Sequence, residues 1–179
     1  RLPHGQSAVP GSDAMEAMRI LRRNAGKWGF SPDKIGVMGH SAGGHLCATV
    51  ATHATGDARP NFQILMYPVI TMDKTFTHMG THNSLIGENP SAEVENYFSL
   101  EKQVKPGQSP AIIFVTDDDR IVPVENSVVY YQALHKAGIP ASLHIYRSGD
   151  HGFSCHKNFK WHEGEMVDLF KWLGDLNNK

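Results

Sequence analysis

The chain has 179 residues, 40% of them hydrophobic and 20% charged, with a formal net charge of −1. That balance fits a globular chain long enough to bury a core, and it offers neither the basic excess that nucleic acid needs nor a basic face for a membrane surface. No apolar run approaches the roughly 18 residues of a spanning helix, and the two cysteines, Cys47 and Cys155, set no disulfide framework.

The opening stretch, RLPHGQSAVP, has no initiator methionine and no signal-peptide pattern, as a fragment boundary would look. GSDAMEAMRILRRNAGKWG then predicts a helix. Ser12 or Asp13 would cap it, Glu16 would complete a capping box, and Ala14, Met18, Leu21, Ala25 and Trp28 would share one face. SPDKIGVMGH predicts a turn and a short strand. A helix follows from about Gly44, with Cys47 as a small core residue. The unbroken apolar run Phe62 to Ile70 suits a strand covered on both faces.

From about 71 to 108 the pattern loosens into glycine, proline and polar residues, and the stretch reads as a lid-like insertion in one domain spanning 1–179. Within it, His78 and His82 lie in a loop-like segment with no carboxylate nearby, so no metal site is expected. PAIIFVTDD is another buried-type strand. VENSVVYYQALHKAGIPA is a helix stopped by Gly138 and Pro140. ASLHIYRSG is the last strand. WHEGEMVDLFKWLGDL closes the chain as a helix with a stripe of Met166, Phe170 and Leu173. Four strands alternating with helices predict an α/β fold, a parallel sheet with helices on both faces and binding groups at the carboxyl ends of the strands.

Three polar features follow three of these strands. Ser41 in GHSAG has glycines two residues before and two after it. A sharp strand-to-helix turn crowds those neighbours, glycine relieves the clash, and the serine hydroxyl stands at the apex. The amide of Ala42, at the start of the next helix, can donate to a developing oxyanion. In TDDDRIVP three adjacent aspartates cannot all be buried. Asp119 is favoured as the acid that orients an imidazole, with Asp118 in reserve. His151, in the short glycine-flanked loop SGDHGF, is the candidate base. His135, His144 and His162 fall within or at the start of regular elements and read as structural. His40 beside the serine, and Leu85 and Ile86 in the insertion, are candidate substrate-contacting residues, with Tyr97 as a further one.

The order Ser41, Asp119, His151 is that of the α/β-hydrolase arrangement. Through KIGVMGHSAGGHLCATVATH, LMYPVI, SLIGENPSAEVENYFSLEKQV and DDDRIVPVENSVVYYQALHKAGIPASLHIYRSGDHGF, nearly the whole chain resembles that superfamily. More narrowly, it is similar to acetyl-xylan-esterase-like carboxylesterases related to the hormone-sensitive-lipase group. The resemblance implies Ser41 as nucleophile, Asp119 as orienting acid and His151 as base. It implies removal of short acyl groups, chiefly acetyl, from sugar or small-molecule esters, with no cofactor. Members of the group are sometimes labelled xylanases, but a glycosidase needs two carboxylates flanking a sugar bond, and no such pair is evident.

The chain departs from the family in lacking a His-Gly-Gly loop and the usual N-terminal strands, of which RLPHG resembles an end. The strand ending at His40 should therefore present an unpaired edge and favour self-association. Two other readings stand beside the esterase. One is a prolyl-oligopeptidase-type serine peptidase, which shares the triad order. The other is a truncated, weakly active, self-associating fragment.

Overall fold

The computed structural model describes residues 6–177. Its elements are α1 (Val9–Trp28), β1 (Gly36–His40), α2 (Ser41–His53), β2 (Phe62–Met66), α3 (Met79–Ile86), α4 (Ala92–Phe98), β3 (Ala111–Thr116), α5 (Glu125–Lys136), β4 (Ala141–Tyr146) and α6 (His162–Asn177). The four strands form one parallel sheet in the order β1-β2-β3-β4. RLPHG lies outside the described residues.

Strand alternation sends the two sheet faces into different cores. Leu65, Ala111 and Ile113 pack with Ala48 of α2 and with Tyr130 and Leu134 of α5. Ile64, Met66, Ile112 and Phe114 pack with Leu169 of α6 and with Phe153 and Phe159. Every residue of β3 is buried, so β3 is the central two-sided strand its composition suggests. Among the described residues no helix is long and apolar enough to cross a membrane.

Several local expectations are corrected. Helix α1 starts earlier, at Val9, with Pro10 in its first turn and no side-chain cap. Ser12 Oγ instead donates back to the Val9 carbonyl, and Glu16 pairs with Arg19 and Arg23. The buried face is Gly11, Met15, Met18 and Ala25, while Trp28 is 51% exposed. Strand β2 ends at Met66, not Ile70, because Tyr67 turns the chain with a φ of 37°. In α6, Leu169 is buried and Phe170 is 64% exposed, so the inward stripe is rotated away from Phe170.

The stretch 71–108 carries two helices and a 3-10 turn, Leu100–Lys102, packed on a cluster of Val69, Met72, Phe98 and Val122. Asn126, fully buried on α5, organises its start. Its carbonyl accepts from the Ile70 and Thr71 amides, and its amide donates to the Phe76 and Pro123 carbonyls. His78 and His82 are not in a loop: His78 caps α3, and buried His82 lies 3.4 Å from Glu95 on α4. At the opposite end of the sheet, the guanidinium of Arg22 donates to the carbonyls of Pro32, Asp57 and Arg59 and to the Asn61 side chain.

Candidate active site

The site is built at the carboxyl ends of the strands. Helix α2 begins at Ser41, directly after β1, with no intervening loop. Ser41 therefore adopts a φ of 53°, which a residue with a side chain rarely tolerates. The Val69 amide donates to the Ser41 carbonyl at 3.1 Å and steadies the turn. The crowding is specific. A Cβ on Gly39 would stand 2.3 Å from the Gly43 carbonyl oxygen, and one on Gly44 would stand 2.7 Å from Pro68 Cβ. At Gly43 a Cβ would meet nothing within 4 Å, so the expected steric need for glycine there is corrected: it falls on Gly39 and Gly44.

The acidic turn after β3 sorts its three aspartates by burial. Asp117 and Asp118 are exposed, whereas Asp119 is 8% exposed. Asp119 Oδ1 accepts from the Ile121 and Val122 amides at 2.9 Å each, leaving Oδ2 for the imidazole. His151 Nδ1 lies 2.8 Å from that oxygen, and His151 Nε2 lies 2.8 Å from Ser41 Oγ. One imidazole thus spans a hydroxyl and a carboxylate 110 and 32 residues away in sequence.

The histidine loop is held by Asp118, the reserve candidate for the orienting acid, and by Asp150, Arg120, Thr116 and Tyr67, which sequence reasoning did not single out. Asp118 Oδ1 accepts from the amides of Gly149 and Asp150, which keeps its carboxyl below the usual carboxylate range. Asp150 has a φ of 53°. Its carboxylate takes the Arg120 guanidinium at 2.6 Å and the His151 amide at 2.9 Å, and the Arg120 bond leads in lowering its pKa to about 2. Thr116 Oγ1 donates to the Asp150 carbonyl. Tyr67 sets its ring edge-on to His151, with centroids 4.7 Å apart, and its hydroxyl lies 3.1 Å from Ser154 Oγ. The apolar run Phe62 to Ile70 hid Tyr67 inside an expected strand, whereas in the structure it is the first residue past β2.

A cavity of about 650 Å³ opens beside Ala42 and Gly43 between the beginnings of α1 and α2 and the body of α3. Leu85 lines it; Ile86 packs into the cluster beneath 71–108, as do Leu85 and Tyr97. His40 sets its ring 5.8 Å from Tyr67, and its pKa is lowered by burial. Cys47 is a free thiol packed against the core, and burial pushes its pKa up to about 11. His144 lies 3.3 Å from Asp168 and His162 lies 3.5 Å from Glu165, outside the site.

His45 forms part of the cavity wall. Its Nε2–H donates to the Phe98 carbonyl at 2.9 Å, and burial pushes its pKa down to about 4. The folded state thus binds fewer protons there than the unfolded state, whose histidine titrates near 6.5. The stabilisation is complete above that value and is lost as pH falls toward 4. We expect this residue to cost on the order of 2–3 kcal/mol of stability between pH 7 and about pH 4.5. Urea unfolding of wild type and His45→Gln across that range should show a shallower pH slope for the variant.

A family model described as alpha/beta hydrolase fold matches residues 3–155. An acetylxylan esterase of Xylanibacter ruminicola is 40% identical over 180 residues, covering 98% of this chain and 38% of that protein. An endo-1,4-beta-xylanase B of Butyrivibrio fibrisolvens is 39% identical over 156 residues, covering 81% of this chain and 24% of that protein. The chain therefore spans well under half the length of these two relatives. The crystal structure of an acetyl ester-xyloside bifunctional hydrolase from Caldicellulosiruptor lactoaceticus superposes with a TM-score of 0.83 at 36% identity, covering 92% of this chain and 65% of that one. With the family match over most of its length and a parallel sheet that turns straight into a helix at Ser41, the chain belongs to the α/β-hydrolase fold family.

Proposed function

We propose that the chain carries a serine carboxylesterase centre that removes short acyl groups, chiefly acetyl, from sugar esters. The observation that carries this reading is the imidazole of His151, held at 2.8 Å from both Ser41 Oγ and Asp119 Oδ2. In the proposed mechanism, Asp119 accepts the Nδ1–H bond, which leaves the Nε2 lone pair facing the serine. Nε2 takes the hydroxyl proton as Oγ attacks the ester carbonyl. The buried carboxylate steadies the imidazolium. The oxyanion forms beside the first turn of α2, whose unpaired Ala42 amide donates to it. The imidazolium then protonates the departing alcohol, leaving Ser41 acylated. Water enters, loses its proton to the same nitrogen, and releases the carboxylic acid.

The substrate class rests on the relatives named for acetylxylan and acetyl ester hydrolysis. Ser41→Ala should lower p-nitrophenyl acetate hydrolysis by at least about 10³-fold without changing the circular dichroism spectrum. Equal rates in both proteins would overturn the reading.

A second observation favours self-association. Among the described strands β1 pairs only with β2, and Met38 on it is 51% exposed. A bare parallel edge with an apolar side chain beside it pairs readily with another strand. Light scattering at micromolar concentration should give twice the mass of a 19.8 kDa chain, or more. A mass matching one chain over the whole concentration range would count against it.

A further inference from the structure

The cavity beside Ala42 is much larger than an acetyl group needs. Its volume of about 650 Å³ lies within the range of pockets that hold whole small molecules, whereas an acetyl group has three heavy atoms. Its α3 wall is hydroxyl-bearing, through Thr81 and Ser84, and at the head of that wall stands His78.

The hydrogen bonding of His78 determines what it presents. The Thr81 backbone amide donates to Nδ1 at 3.2 Å, and the Thr81 hydroxyl lies 2.9 Å from the same nitrogen. An amide N–H can only donate, so Nδ1 carries the lone pair and the neutral ring bears its proton on Nε2. Nε2 has no hydrogen-bond partner among the described residues. The neighbouring residue keeps that edge of the ring open. A Cβ on Gly80 would stand 2.9 Å from His78 Cε1 and 3.2 Å from Nε2, and Gly80 itself lines the cavity.

Resting on the esterase reading, we infer that this cavity receives the sugar alcohol of the ester, and that His78 Nε2–H donates to one of its hydroxyl or ring oxygens. A long alkyl acyl chain is the competing occupant. It would cover the Nε2–H without pairing it and would leave the Ser84 hydroxyl against hydrocarbon. A polyol can pair both.

The test compares wild type with His78→Asn. Asparagine is itself a good helix cap, so it can still accept the Thr81 amide while withdrawing the imidazole donor. The substrates are an acetylated methyl β-xyloside, p-nitrophenyl acetate and p-nitrophenyl octanoate. We expect KM for the xyloside to rise about tenfold with kcat within about twofold. The ratio of kcat/KM for xyloside to that for p-nitrophenyl acetate should fall by the same factor.

An unchanged KM, a proportional loss on both acetyl esters, or a wild-type preference for the octanoate would overturn the inference. If wild type shows no Ser41-dependent hydrolysis of any ester, the esterase reading fails, and the cavity is judged by binding instead. Methyl β-xyloside added to the Ser41→Ala protein should then shift the amide resonances of Thr81 and Ser84. Addition of His78→Asn to that protein should abolish the shift. No shift in the first case, or an unaltered one in the second, would overturn it.

Discussion

Replacing Asp119 by asparagine is expected to lower kcat for p-nitrophenyl acetate by about 10⁴-fold while the protein stays folded. The expectation follows from how the two carboxylate oxygens divide their work. Oδ1 accepts from the Ile121 and Val122 amides, and an asparagine carbonyl can do the same. Oδ2 faces His151 Nδ1, where the asparagine NH₂ would donate instead of accept. The imidazole proton would then sit on Nε2, pointing at Ser41 Oγ, and the base would have no lone pair for the serine proton. Asp118→Asn is the contrast. That side chain accepts from two amides of the histidine loop and does not face the imidazole, so the amide analogue keeps its contacts and kcat should stay within a few-fold. Equal losses in the two variants would move the orienting role away from Asp119.

The second large effect is on folding. Gly39→Ala places a methyl group 2.3 Å from the Gly43 carbonyl oxygen, 2.6 Å from its carbonyl carbon and 2.7 Å from Cys47 Sγ. Two of those atoms are backbone in the first turn of α2 and cannot move without opening the junction at Ser41. We expect a loss above about 4 kcal/mol, read as insoluble protein or a collapsed thermal transition. Gly43→Ala meets open space and removes a helical glycine, so its melting temperature should hold or rise by a few degrees. Similar losses in both variants would contradict the steric account.

The contrast between these two glycines shows how far sequence carried the description. A Gly-x-Ser-x-Gly pattern says that the turn is tight, but which glycine is crowded depends on where Pro68 and Cys47 come to rest. The strands were legible because a parallel sheet covered on both faces demands unbroken apolar runs, as in PAIIFV. The positions of Ser41, Asp119 and His151 were legible because each lies in a short turn just past a strand-like segment. The buried faces of α1 and α6 were less so. Each has several apolar positions, and the packing partner selects among them: α1 turns Met15 inward and leaves Trp28 to solvent.

The stretch 71–108 was the least legible. Its helices are seven and eight residues long, and the start of the stretch is fixed by a side chain brought from elsewhere, Asn126 on α5. Such elements have little intrinsic helical signal of their own. Asp150 and Arg120 escaped notice, and Asp118 was read only as a reserve for Asp119, for a related reason. Their work is to shape one loop across 30 to 32 residues of sequence, and no local pattern marks it.

The order of the sheet has a consequence for assembly. Because the strands lie side by side in the order in which they occur along the chain, each can dock on its predecessor as soon as the connecting segment is made, and no strand has to wait for a later one to open a place. The three side chains, however, are carried at the ends of the first, third and last strands. An intermediate that stops at β3 carries the serine at its strained turn, yet it has no imidazole within reach and one sheet face still lacks Phe153, Phe159 and Leu169. Ester hydrolysis would therefore report the docking of β4 and the loop that follows it, not the earlier pairing of β1 to β3.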